Sequence, residues 1–485
     1  MKKIIYSTMI IIFIIMLISC NKEKLEFQEV SPFSEELAAV KVNEGYCYID
    51  KNGNLSIKDF YDKAEEFRNG IAWVKKDNYW GVINKNGEYI INPKYENIQS
   101  FLDQIYVVKG EEGFGCVDSQ GKEVVPAVFT KVDPVNEEYV IVKEKDNYKY
   151  GCINIKSGDI IINPIYDKID FQLSNEIIFV RKNGKWGLLN TKGNVVFPPK
   201  YVYISSFSNS IALARTEDYK YSLININGDV VKELEFNGLD INIDNTKFHE
   251  GFTIIESNDK FGYINERGEI IAKPKYESAR RFYNGMARVK YEGKWGAINK
   301  QGEMIIKPAY EEIGLFTENI APICYKYDDE NKYGYINNLG EVIVEAKYDD
   351  FTHFKNGIAQ VETNNKYGII NIEGKEIIKP IYDEIQHFPN NTLLVTLQDK
   401  KGLFKRNGKQ LTEVSFEEID YHVSDGLIPV KKHNKWGFID LKGKAIIEPK
   451  YDDVTYFNNG LAFVKLNTKW ICIDKTGNKI FSEIH

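Results

Sequence analysis

The chain is poor in the residues from which most catalytic and metal sites are built. Its six histidines, at 249, 353, 387, 422, 433 and 485, are scattered through 485 residues, and none forms a His-Glu-x-x-His or accompanies a Cys-x-x-Cys. No metal, cofactor or catalytic residue is therefore expected. The six cysteines are scattered too; Cys116, Cys152 and Cys472 share one strand position suited to a small apolar side chain, so no disulfide framework follows. There is no Gly-x-Ser-x-Gly elbow and no phosphate-cradling Gly-Lys-Ser/Thr loop. Only 14 prolines stand against 31 tyrosines and 27 phenylalanines, a balance that favours strands over helices. Basic charge is also short, with 63 Lys and Arg against 70 acids, which disfavours a nucleic-acid partner. A 43% hydrophobic and 27% charged composition is nevertheless that of an ordinary globular protein.

Long apolar runs are absent except at the start. Lys2 and Lys3 precede the run Ile4 to Ile18, which is shorter than the ~20 residues a membrane-spanning helix needs and reads as a secretory leader. Its ending, Leu17-Ile18-Ser19-Cys20, resembles the lipobox of bacterial lipoproteins. That resemblance implies removal of a signal peptide at 1–19, a lipid on Cys20, and a polar tether over 20–26 that attaches the protein to a membrane. Asn21 is not the aspartate of an inner-membrane retention mark, so the expected location is the cell envelope, on the periplasmic or surface face of the outer membrane.

What fills the rest of the chain is a repeat. An aromatic–glycine pair followed six residues later by glycine (seven at Tyr150) recurs at Trp80, Phe114, Tyr150, Trp186, Phe261, Trp295, Tyr333, Tyr367 and Trp436, with degenerate copies at Tyr46, Tyr221, Lys401 and Trp470. These thirteen anchors lie 34 to 40 residues apart. Within one unit, Ile71 to Lys76 alternates as a half-buried strand, Asp77-Asn78 turns, and Tyr79 to Asn84 returns. Gly87 suits a turn with positive φ, Glu88 to Ile91 makes a third strand, and Pro93 is expected to end it. Ile98 and Phe101 suit a short fourth strand. The anchor rings are expected to be buried between units, each next to a glycine that admits another backbone, with ligand stacking as the alternative use. Trp73, off this column, is expected to matter less.

The motif aromatic-Gly-x-Ile-Asn/Asp-x-x-Gly, then Ile-x-Pro-x-Tyr-Asp/Glu-x-Ile-x-x-Phe, then Gly-Ile/Leu-Ala-x-Val-Lys, resembles the bacterial WG-containing (KWG) repeat family over about residues 27–485. Family membership implies an extracytoplasmic or interaction-type protein and brings no catalytic residues with it. The expected fold is all-β, built of three- to four-stranded meanders that complete their cores by stacking. The longest spacing divides the copies into six (27–240) and seven (241–485), suggesting two β-propellers in tandem; an open β-solenoid is the alternative. Because the last copy lacks its final segment and Phe27 to Phe33 supplies the same pattern, a closed array predicts residues 27–33 beside Lys479 to Glu483.

Acidic pairs such as Glu311-Glu312, Asp349-Asp350 and Asp452-Asp453 recur with the repeat and read as a solvated face. His353 and His387 share a repeat position and are expected as a rim pair rather than a metal site. A lipid-anchored binding scaffold for an unidentified protein or glycan, not an enzyme, is the function these features favour; an envelope enzyme cleaving glycans with two repeat carboxylates is the alternative. Replacing Cys20 by Ala should abolish palmitate labelling and lipid-dependent processing while the repeats still fold; equal labelling of wild type and variant would refute the lipid assignment.

Overall fold

The computed structural model describes residues 26–101, 105–172, 176–218, 220–234, 248–327 and 330–482. Cys20, its leader and the expected boundary at 240–241 lie outside these residues. Strand is the regular element throughout, arranged as thirteen antiparallel sheets, or blades, in chain order.

Blades 1 and 2 show the rule. Blade 1 runs β1 (Glu29–Val30), β2 (Leu37–Val42), β3 (Gly45–Asp50) and β4 (Leu55–Tyr61), and blade 2 runs β5 (Lys63–Ala64), β6 (Ile71–Lys76), β7 (Tyr79–Asn84) and β8 (Tyr89–Tyr95), each in simple up-and-down order. The short strand after a Pro-x-Tyr corner pairs forward, so Asn97–Phe101 opens blade 3 rather than closing blade 2. Asp77 and Asn78 both have positive φ, 52° and 70°, as the two-residue turn between β6 and β7 requires. The next turn explains the Asn or Asp of the motif: Asn84 Oδ1 accepts hydrogen bonds from the backbone of Asn86 and Glu88, and Gly87 sits at φ 84°.

Pro93 does not end the third strand. β8 continues through it to Tyr95, because the ladder passes from Val82↔Ile91 to Trp80↔Tyr95 and leaves extra residues bulged out on the edge strand. There the missing N–H of proline breaks no ladder bond. The bulge folds over Gly81, where an added Cβ would lie 2.7 Å from Ile91 O and 2.8 Å from Pro93 N. The same meeting occurs beneath Pro164, Pro199, Pro274, Pro308, Pro380 and Pro449, with 2.5–3.0 Å from the would-be Cβ to the proline nitrogen. Where blade 6 has Ser222 instead of glycine, Ser222↔Glu233 stays in regular register; blade 1 keeps the bulge over Cys47, with Asp59 in the proline's place.

Blades are joined by buried clusters. Tyr61 and Phe67 fill the junction of blades 1 and 2, and Tyr276 and Phe282 that of 7 and 8. The six blades before residues 235–247 and the seven after them are joined as well, through Leu213, Tyr221, Leu223 and Phe248. Blade 13 (Asp453–Val454, Leu461–Leu466, Lys469–Asp474, Lys479–Phe481) in turn packs on blade 1, so consecutive contacts make a closed thirteen-blade propeller. At that seam Cys472, Phe481, Phe27, Phe33, Ala38, Val40 and Ile49 take the places that Phe438, Ile447, Tyr451, Phe457, Ala462, Val464 and Ile473 hold at the preceding junction. Phe33 stacks on Phe463 at 5.5 Å, Phe27 meets Phe463 and Phe481 edge-on, and Glu26 pairs with Lys469. Residues 27–33 thus complete the last junction by packing, while β1 hydrogen-bonds to β2 of its own blade.

Two outcomes follow. Gly296→Ala, whose Cβ would meet Ile306 O at 2.5 Å, should destabilise by about 1–3 kcal/mol through overpacking, whereas Ser222→Ala should shift melting little. Deleting residues 24–32 should remove hydrogen-exchange protection at Trp470 to Phe481 as well as in β2; loss at β2 alone would contradict closure.

Candidate functional site

The anchor rings are not enclosed. Trp80, Phe114, Tyr150, Trp186, Phe261, Trp295, Tyr333, Tyr367 and Trp436 are all half-buried, which corrects the expectation of rings buried between units. Each lies at the end of its sheet, and in all but Phe114, whose partner is the half-buried Phe129, the enclosed aromatic is the tyrosine paired with it, as Tyr95 and Tyr276 show at 1% exposure. Several anchors carry a cation on the ring: Arg181 on Trp186, Arg280 on Trp295, Lys431 on Trp436 and Lys143 on Tyr150, at 5.2–5.9 Å. Such contacts are worth about 0.5–1 kcal/mol at exposed sites and occupy the face on which a ligand would stack.

The repeat acids are also engaged. Asp349 pairs with Lys332 at 2.7 Å and accepts the backbone N–H of Asn364, tying the end of blade 9 to the first hairpin of blade 10. The Lys332 ammonium holds its carboxyl below the usual range. Asp383 and Asp452 make the same pair of contacts, with Lys366 and Gln398, and with Lys435 and Asn467. A second set clasps neighbouring turns, in which Glu35, Glu250, Glu318 and Asp425 accept from Gly70, Gly285, Gly357 and Gly460. A carboxylate held by a lysine and a backbone amide is a poor proton donor, since both contacts favour its charged form.

His353 and His387 line one cleft of about 260 Å³ between blades 10 and 11. They have separate duties there. His353 Nε2 accepts the Leu315 N–H at 3.0 Å, and His387 Nδ1 lies 3.3 Å from Arg406 Nη2. Burial first, then a nearby arginine, pushes both pKa values down, so both rings are neutral at pH 7. No group of three metal-ligating side chains occurs among the described residues. Cys47, Cys116, Cys152, Cys324 and Cys472 are buried and unpaired, and burial raises the thiols of Cys47, Cys116, Cys152 and Cys472 to about 12, leaving no reactive thiolate.

One cleft departs from the repeat. Between blades 2 and 3 a space of about 490 Å³ is lined by Trp73, Trp80 and Tyr106, by Glu65 and Glu66, and by Asn97 of the strand that opens blade 3. Trp73, 4% exposed, packs 5.2 Å from the Tyr106 ring, so it is more enclosed than the anchor Trp295, contrary to its expected minor role. Its Nε1–H is enclosed without an acceptor, an arrangement that costs about 1–3 kcal/mol. Burial raises the pKa of Glu66. The signal was present in the sequence: Trp73 is the one tryptophan of six off the anchor column, and its counterparts include Ala39, Val107, Ile141 and Leu213.

Three solved structures align with the chain at low TM-scores. BamB from Moraxella catarrhalis is 13% identical, with 64% of this chain and 99% of that one covered at a TM-score of 0.26. The extracellular domain of a hybrid two-component system from B. thetaiotaomicron is 10% identical over 93% of this chain and 75% of that one, at 0.20. A eukaryotic initiation factor is 11% identical over 64% and 95%, at 0.33. No curated protein matches the chain in sequence. The WG containing repeat matches residues 24–46, 48–80, 80–110, 114–148, 150–186, 186–221, 261–295, 295–327, 333–367, 367–401, 402–436 and 436–470, and the chain belongs to that family.

Proposed function

We propose that this propeller is a binding scaffold of the bacterial cell envelope, held at the outer membrane by a lipid on Cys20 and presenting its blade rims to a protein or glycan. The observation that carries this reading is the use to which the repeat chemistry is put. The acids that recur with the repeat, such as Asp349 and Asp425, are spent joining one blade to the next, which leaves Glu65 and Glu66 as carboxylates in an open cleft; the cysteines are buried, and the two clustered histidines hold backbone and guanidinium groups. A ring closed by packing supports surface recognition in another way: it holds loops in fixed relative positions, so binding loses little conformational entropy.

The envelope location rests on the leader and the Leu17-to-Cys20 sequence, and the chain's net charge of −7 accords with a partner other than nucleic acid. The test is site-specific photocrosslinking in intact cells. A crosslinker at Asn97, in the cleft, or at Leu339, 70% exposed in a turn of blade 9, should trap one envelope component from cells carrying the wild-type anchor and lose it with Cys20→Ala. Release of new reducing ends from envelope glycan by the purified protein, with nothing trapped, would replace the scaffold by an enzyme.

A further inference from the structure

We infer that the cleft between blades 2 and 3 is a saccharide site, which takes a neutral pyranose unit against Trp80 with its hydroxyls directed to Glu65, Glu66 and Asn97. The inference rests on the binding-scaffold reading and adds to it the place and chemical class of one ligand.

The cleft is built from departures. In blade 8 the residues equivalent to Glu65 and Glu66 are Arg280 and Arg281, and Arg280 lies over its anchor Trp295 at 5.4 Å. In blade 2 carboxylates replace both, and the half-buried anchor Trp80 lines open space instead. Trp73 forms an aromatic wall with Tyr106, whose counterparts in the other blades, such as Ala72, Val140, Ala212 and Ala287, are not aromatic, and among the residues at the Trp73 position, Phe179 and Phe463 included, it is the one tryptophan. The volume, about 490 Å³, falls within the range of small-molecule sites, roughly 300–1,000 Å³.

The lining selects among ligands. A pyranose has an apolar C–H face and a rim of hydroxyls that both donate and accept, which matches an aromatic wall edged by carboxylates and an amide. An anionic ligand would meet Glu65 and Glu66 against the single guanidinium of Arg68, and an apolar ligand would strip water from both carboxylates without replacing it. An organic ammonium suits the rings and acids but not Arg68 in the same wall. The enclosed Nε1–H of Trp73 is a further donor beside the cleft that lacks an acceptor.

The test uses the full-length lipoprotein in detergent, titrated with maltose, cellobiose, lactose and N,N′-diacetylchitobiose and followed by tryptophan fluorescence and saturation-transfer NMR. At least one disaccharide should bind. Trp80→Ala and Glu66→Gln should each weaken it about tenfold or more, the factor that ~1.4 kcal/mol of lost contact produces. Trp295→Ala, which removes an anchor ring far from the cleft, should leave affinity unchanged. Should Trp80→Ala melt early, Asn97→Ala at an exposed position reads the same site. Binding by none of the four sugars, binding undiminished in all cleft variants, or cleft-dependent binding of choline instead would overturn the inference. Failure of every sugar while the Asn97 crosslinker still traps an envelope component would remove the saccharide and leave the scaffold; sugar binding with nothing trapped would do the reverse.

Discussion

The crossing of a bulged edge strand over a glycine is the contact on which the regular blades depend. With no Cβ at Gly81, the backbone from Ile91 to Pro93 can lie against the middle strand, and the chain then swings so that Tyr95 enters the junction with blade 3. The aromatic–glycine pair and the Pro-x-Tyr corner, some twelve residues apart in the chain, are therefore two sides of one interaction. Every Pro-x-Tyr corner lies over such a glycine, and blade 6, which lacks both, keeps its register from Tyr221 to Leu223 without that bulge. Blade 11 marks the other limit: Gly402 persists without the corner, and the segment around Gln410 to Phe416 makes isolated bridges where a closing strand would run.

Stability in such a ring comes from the junctions, because a meander of short strands cannot bury both of its faces alone. The junctions of blades 9 and 10 and of blades 12 and 13 show the full set, a tyrosine from one blade (Tyr348, Tyr451), a phenylalanine from the next (Phe354, Phe457) and two kinds of acid clasp between them. The seam between blades 13 and 1 keeps the apolar part, with Phe27 in the tyrosine's place, and an exposed ion pair between Glu26 and Lys469. Exposed pairs of this kind contribute about 0–1 kcal/mol, so closure rests on the phenylalanines.

Regularity also locates function. Side chains that recur in register serve the ring: the anchors pack at the edge of the junctions, four of them beneath a cation, the acids clasp turns, and the Cys column packs. Some departures from register also join blades, as Arg288 does through Ile313 O and Gln172 through the Phe207 backbone, but the departure formed by Trp73 with Glu65 and Glu66 borders open space. In a repeat protein the residue that breaks the pattern carries more information about a ligand than the residue that keeps it.

The thirteen-fold repeat, its strand periods and both of its turns were legible in the chain, because they depend on neighbours a few residues apart: alternation in Ile71 to Lys76, Asp77-Asn78, and Asn84 with Gly87. The likeness of Phe27–Phe33 to Tyr95–Phe101 pointed to closure for the same reason. Three features were decided only by tertiary structure. Pro93 stays within a strand because the bulge places it on an edge above Gly81, a relation between residues twelve apart. The anchors are half-buried because they stand at sheet ends, and burial of Tyr95 in their stead depends on how the next blade sits. The cleft exists because Trp73 and Tyr106, in different blades, face each other across a junction. Periodicity along one strand specifies which face a side chain takes, but the distance between two faces is set by everything packed between them.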